Sequence, residues 1–216
     1  MNIRMALASA TALLTLAAAG ASHASATAAS LWINDPTSND ASIVPSGPAD
    51  ATFNPGLINY DSRVTGYTVG AFLNNPTFSN ESAAFLAAGA GNADLNNTFI
   101  QITGTVGLQA GNNAFVVEHD DGVVLSIPGI GYTLSEGGPT SPTTTPFNVV
   151  NPGAAGNYAF TLNYTECCGA PAVLVFSINN VNAGAPEPAT WGLMLLGIGG
   201  IGGVLRRKSG QLAAAA

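Results

Sequence analysis

The chain has 216 residues and a formal net charge of −7, with only 8% charged side chains against 47% hydrophobic ones. Between residues 25 and 185 the one basic side chain is Arg63, while acids run from Asp35 to Glu166. Nothing there can neutralise a phosphate backbone, so nucleic acid is excluded as a partner; cations and neutral polymers remain.

At the N-terminus, Arg4 precedes an apolar, alanine-rich stretch over 5–20 and small residues around Ser22-His23-Ala24. This reads as a secretory signal peptide over 1–24, cleaved after Ala24 or Ala26. The body that follows, 25–185, spans about 160 residues, enough for one domain with its own core. Its abundant Asn, Thr, Ser and Gly suit a secreted, sheet-rich protein whose surface uses amides and hydroxyls instead of ions.

Segments rich in β-branched and aromatic residues predict strands over 64–73, 98–108, 114–118, 123–127, 157–164 and 172–178, separated by turn-formers. Phe115 and Val117, then Val123, Leu125 and Ile127, and later Tyr158, Phe160, Leu162 and Tyr164 recur with period two, so each strand buries one face. The pattern predicts an all-β fold, an antiparallel β-sandwich or barrel. The one helical candidate is 81–88, bounded by glycines, and 135–146, with four threonines and three prolines, has the composition of a loop.

Between two of these strands lies Glu118-His119-Asp120-Asp121-Gly122. Asp-Gly favours a tight type I′ turn, which makes the segment a hairpin with His119 as a turn residue and no need of a ligand. The other reading is that adjacent carboxylates on a rigid loop present several oxygens to one hard cation, calcium before softer metals, with further oxygens supplied from elsewhere. Cys167 and Cys168 are neighbours, with Cα atoms about 3.8 Å apart, shorter than the usual disulfide range, yet export to an oxidising compartment favours their oxidation. A vicinal disulfide would stiffen that loop. Crosslinking between molecules and a metal-binding thiol pair are the alternatives, although His119 as the other soft ligand of the body leaves a zinc set incomplete. No carboxylate spacing predicts a glycosidase acid and base, and serines with a lone histidine make no triad, so the body is not read as an enzyme.

The C-terminus carries Pro186-Glu187-Pro188-Ala189-Thr190-Trp191, an uncharged run over 192–205, and Arg206-Arg207-Lys208. A proline pair, an interfacial tryptophan, an apolar span and a basic stop each mark a different membrane depth. The 17 residues over 189–205 would extend roughly 25 Å as a helix against a hydrocarbon core of about 30 Å. That predicts a single short transmembrane helix with 209–216 as a cytoplasmic tail and the body facing outward.

Over 185–208 this tail resembles the PEP-CTERM sorting signal of Gram-negative bacteria, in which a Pro-Glu-Pro motif precedes a hydrophobic helix and a terminal arginine cluster. The resemblance implies export, retention in the inner membrane, recognition by an exosortase, and release to the cell surface or into exopolysaccharide.

The body resembles the lectin-type β-barrel domain first described in the anthrax protective antigen and found in yeast flocculin adhesins and bacterial glycosidases. Three features in order carry the likeness, over about 108–178: the strand-turn-strand 114–129 around Asp120-Asp121-Gly122, the strand ending at Tyr164, and the closing strand 172–178. In sugar-binding members, paired aspartates joined by a cis peptide hold calcium, and a second loop supplies a side-chain oxygen and backbone carbonyls. By position, the resemblance implies Asp120 and Asp121 as the pair, Glu166 as the side-chain ligand where the flocculins carry an asparagine, and Cys168 and Ala170 as carbonyl donors. The function implied is a calcium-dependent carbohydrate- or exopolysaccharide-binding module. The competing expectation is a non-binding structural protein of the envelope or biofilm matrix.

Overall fold

The computed structural model describes residues 24–74 and 90–182. The signal segment before Ala24, the helical candidate over 81–88 and the sorting and anchor segment over 186–208 lie outside the described residues. Among the described residues no helix is long and apolar enough to cross a membrane.

Two antiparallel sheets make the domain. The first runs β2 (Ala51–Phe53), β1 (Ala24–Ile33), β4 (Thr98–Leu108), β9 (Gly156–Glu166), β6 (Val123–Ile127), β7 (Tyr132–Glu136) in spatial order. The second runs β11 (Val181–Asn182), β10 (Val173–Ile178), β5 (Gly111–His119), β8 (Thr143–Asn151), with β3 (Asn59–Asp61) also paired to β10. The period-two apolar positions explain the layering. Ile100, Ile102, Leu125, Ile127, Phe160, Leu162 and Tyr164 of the first sheet meet Phe115, Val117, Val149, Leu174, Phe176 and Ile178 of the second in one buried cluster. The expected strands 98–108 and 123–127 coincide with β4 and β6, 114–118 and 157–164 lie within β5 and β9, and 172–178 starts one residue before β10 and ends with it.

Three expectations need correction. The segment 64–73 is helical, not a strand: α1 (Ser62–Thr65) and α2 (Val69–Leu73) occupy it. Local capping overrides its β-branched composition. Asp61 accepts from the Arg63 amide and Thr68 from the Ala71 amide, while Val69, Phe72 and Leu73 bury one helical face at spacings of three and four. Second, 135–146 is only partly a loop, because Glu136 ends β7 and Thr143 begins β8. Consecutive threonines favour the pleat, and Pro146 is tolerated because β8 pairs on one side only, with β5. Third, β5 and β6 do not form a hairpin. β5 pairs with β8 and β10, β6 with β7 and β9, so 120–122 carries the chain from one sheet to the other.

Candidate functional site

That crossover is tied down atom by atom. The Asp120 amide donates to the Val173 carbonyl (3.0 Å), and the Asp121 amide donates to the Thr140 carbonyl (3.0 Å) and to Asp120 Oδ1 (3.1 Å). Asp121 adopts a left-handed conformation, φ 55°, which aspartate tolerates better than most residues. The bond between Asp120 and Asp121 is trans where the resemblance implied cis; the chain reverses through the left-handed Asp121 instead, and the cis bond among the described residues is Ala170–Pro171. Gly122 is required by packing: a Cβ there would overlap the Gly137 carbonyl oxygen and crowd Thr165 Oγ1.

His119 is not a turn residue. It ends β5, is 1% exposed, and sets Nδ1 2.8 Å from the Asp121 carbonyl and Nε2 2.9 Å from Glu136 Oε2. The ring thereby braces the crossover against β7, whose Glu136 also accepts from Thr145 Oγ1 on β8 (2.9 Å).

The second loop leaves β9 at Glu166 and returns at β10. The Cys167 amide donates to Asp121 Oδ2 (2.7 Å), and the Thr140 amide reaches Asp121 Oδ1 from the other side (3.3 Å). Cys167 and Cys168 are joined to each other as a vicinal disulfide. Cys168 and Gly169 are both left-handed, with φ 65° and 102°. Around these loops lies a cavity of about 380 Å³, lined by Asp120, Asp121, the segment 139–142 and the segment 168–171.

Asp120, Asp121, Cys168 and Ala170 therefore share one cavity. Glu166 does not line it. Fully buried, its carboxyl accepts from Tyr67 Oη (2.8 Å) and Tyr164 Oη (2.7 Å) at the root of the second loop. Sequence reasoning missed Tyr67, 99 residues away from Glu166, because nothing local signals the pairing. It also missed the Pro139-Thr140-Ser141-Pro142 wall, whose prolines read only as loop.

Electrostatics single out the same place. Asp120 and Asp121 are each 4% exposed. Burial pushes the Asp120 carboxyl up to about 6, with the Asp121 charge adding, and raises Asp121 despite the Cys167 and Thr140 amides. Burial drives Glu166 to about 8 although both tyrosine hydroxyls oppose it. Among the described residues no lysine or arginine lines the cavity. Arg63 is committed to Asp61 Oδ2 (2.6 Å) and Glu118 Oε1 (3.4 Å). Two adjacent buried carboxylates, whose raised state persists despite His119 and Arg63 nearby, fit a hard divalent cation, which would supply positive charge to oxygen donors. A soft metal fits less well. The Asp121 carboxylate and both cysteine sulfurs lie within 4.8 Å of one another, but disulfide sulfurs carry no thiolate charge.

Comparison with known proteins bears on both parts of the chain. Residues 185–208 match the family described as PEP-CTERM protein-sorting motif. No curated protein matches the chain. Among solved structures, a "PA14 sugar-binding domain from RTX adhesin" is similar at 20% identity and a TM-score of 0.51, covering 76% of this chain and 93% of the other. The PA14 domain of the MpAFP antifreeze protein is similar at 21% identity and a TM-score of 0.52, covering 75% and 87%. The chain thus carries a PEP-CTERM sorting motif behind an all-β, sandwich-like domain of PA14 fold.

Proposed function

We propose that this exported, exosortase-sorted protein carries a calcium-dependent carbohydrate-binding module that attaches to exopolysaccharide or another surface glycan. The observation behind the reading is the one cavity whose lining gathers Asp120, Asp121, Cys168 and Ala170. In this proposal Asp120 and Asp121 hold the cation and the backbone of 168–170 completes the oxygen set. Calcium offset by two carboxylates leaves coordination positions that sugar hydroxyls can fill. Thr140 and Ser141, also at the cavity, offer hydroxyls to the rest of the ring. Glu166 takes a positioning role here, holding the loop root through Tyr67 and Tyr164. The sugar-binding title of the adhesin domain with the same fold supports the same class of ligand. The PEP-CTERM motif adds the delivery route, membrane or surface sorting with processing by an exosortase.

The test is a calcium titration of the full chain by calorimetry and thermal melting, beside the Asp120→Ala, Asp121→Ala double variant. At calcium 100-fold above Kd the parent gains about 2.7 kcal/mol, which raises its melting temperature by about 5–10 °C, and the variant gains nothing. Retention on immobilised polysaccharide should require calcium and be lost in the variant. A parent that neither binds calcium nor melts higher in its presence overturns the proposal and leaves a structural matrix role.

A further inference from the structure

We infer that the Cys167–Cys168 disulfide is a positioning element of the cation site, so that the site is assembled only after the chain is oxidised outside the cytoplasm. The inference rests on the calcium reading above and extends it to a condition on when the site works.

The described non-glycine residues with positive φ are Asn34, Asn97, Asp121, Cys168, Asn179 and Asn180. All but Cys168 are Asn or Asp, whose short polar side chains support a left-handed residue through local hydrogen bonds. Cysteine has no such means. What Cys168 has is a covalent ring through its sulfur to Cys167. Among the described residues, no backbone hydrogen bond ties 168–171 to the fold between the Cys167 amide, held by Asp121, and the Ala172 amide, held by Ser62 Oγ. A Cβ placed on Gly169 would meet nothing within 4 Å, so neighbours do not pack this stretch into place either. The ring is therefore the constraint on Cys168 itself, where the cavity wall that continues through the cis Ala170–Pro171 bond begins.

Reduction by a dithiol breaks the S–S bond. Each cysteine sulfur takes one electron and one proton to become a thiol, and the dithiol is oxidised to its cyclic disulfide. Cys168 is then free to return to negative φ, which withdraws the wall from the carboxylates without disturbing the sheets. Thiols stay reduced in the cytoplasm and oxidise after export. The newly made chain would hold calcium weakly and the exported chain tightly, which keeps the site empty until delivery.

The experiment compares the full chain oxidised, reduced with dithiothreitol, and reoxidised, together with a Cys167→Ser, Cys168→Ser variant and a Cys167→Ser, Cys168→Asn variant. Calcium Kd is read by calorimetry, folding by circular dichroism, and loop order by hydrogen exchange of the metal-free chain. Reduction and the double serine variant should weaken calcium by about 10- to 100-fold with the fold intact. Reoxidation should restore it, and asparagine at 168 should recover part of the loss by supporting the left-handed backbone. The hydrogen-bonded amides of Cys167 and Ala172, which flank the loop, should exchange faster on reduction even without metal. Equal Kd in the oxidised and reduced chains overturns the inference while the calcium reading stands. If the oxidised chain binds no calcium, that reading falls, and unchanged exchange of the Cys167 and Ala172 amides on reduction overturns the positioning role as well.

Discussion

Replacing Gly122 by alanine probes the crossover that builds the cavity. A Cβ at 122 would overlap the Gly137 carbonyl oxygen and come within 2.8 Å of the Gly137 carbonyl carbon and 2.5 Å of Thr165 Oγ1. A rotamer change can move the threonine hydroxyl but not the Gly137 backbone, whose oxygen accepts from the Ala41 amide (2.9 Å). Relieving the overlap displaces that segment and strains this bond. Overpacking costs about 1–3 kcal/mol and a lost hydrogen bond about 1 kcal/mol, so Gly122→Ala should destabilise by about 3 kcal/mol. In a chain of this size that lowers the melting temperature by roughly 6–12 °C. Gly138→Ala is the control, since a Cβ there meets nothing within 4 Å. Thermal melting and urea denaturation of the three full-length chains give the answer. A Gly122→Ala chain melting within about 2 °C of the parent, or a control falling equally far, would refute the packing argument.

The raised carboxyls predict an unusual pH response. Asp120 at about 6 and Glu166 at about 8 bind protons more tightly folded than unfolded, where values near 4 apply. Their contribution is thus complete below about pH 4 and is lost as pH rises through the folded values. The metal-free chain should melt lower at pH 8.5 than at pH 5, and the melting gain on adding calcium should be larger at the higher pH, where protons no longer compete for Asp120 and Asp121; a gain independent of pH would count against both. Glu166→Gln removes a titrating group and keeps its shape. Urea unfolding should find the variant within about 1 kcal/mol of the parent at pH 6 and more stable than it at pH 9, with calcium affinity little changed. A large loss of affinity would return Glu166 to the ligand set.

The legible part of the fold is the part written in period two. β4, β6, β9 and β10 alternate because each has one face on the core, and the alternation survives in the letters. β1 left no such trace: Ala24–Ile33 is mostly alanine and serine, and it is a strand because β2 and β4 pair with it on both sides. That is tertiary context, which a local reading cannot see. The helices over 62–73 were hidden for the opposite reason. Asp61 and Thr68 are caps, and the apolar spacing they govern is too short to outweigh the valines and tyrosine that suggest a strand. Asp121-Gly122 misled because its usual explanation, a hairpin turn, needs two strands in one sheet. Here the glycine serves a backbone contact with residue 137, and the strands on either side belong to different sheets.

At the cavity, the aspartate pair and the second loop were readable as a motif, but the state of Glu166 was not. Read as a letter, glutamate in place of the flocculin asparagine adds a negative charge to a site already holding two. Fully buried, with two tyrosine hydroxyls as partners and a carboxyl raised to about 8, Glu166 is mostly protonated near neutral pH. A neutral carboxylic acid offers one donor and a carbonyl acceptor, close to what an amide offers. The substitution is therefore much smaller in charge than it looks. What it changes is length: the longer side chain reaches Tyr67 and Tyr164 at the root of the loop, and the cavity is lined by Asp120, Asp121 and the segments 139–142 and 168–171 without it.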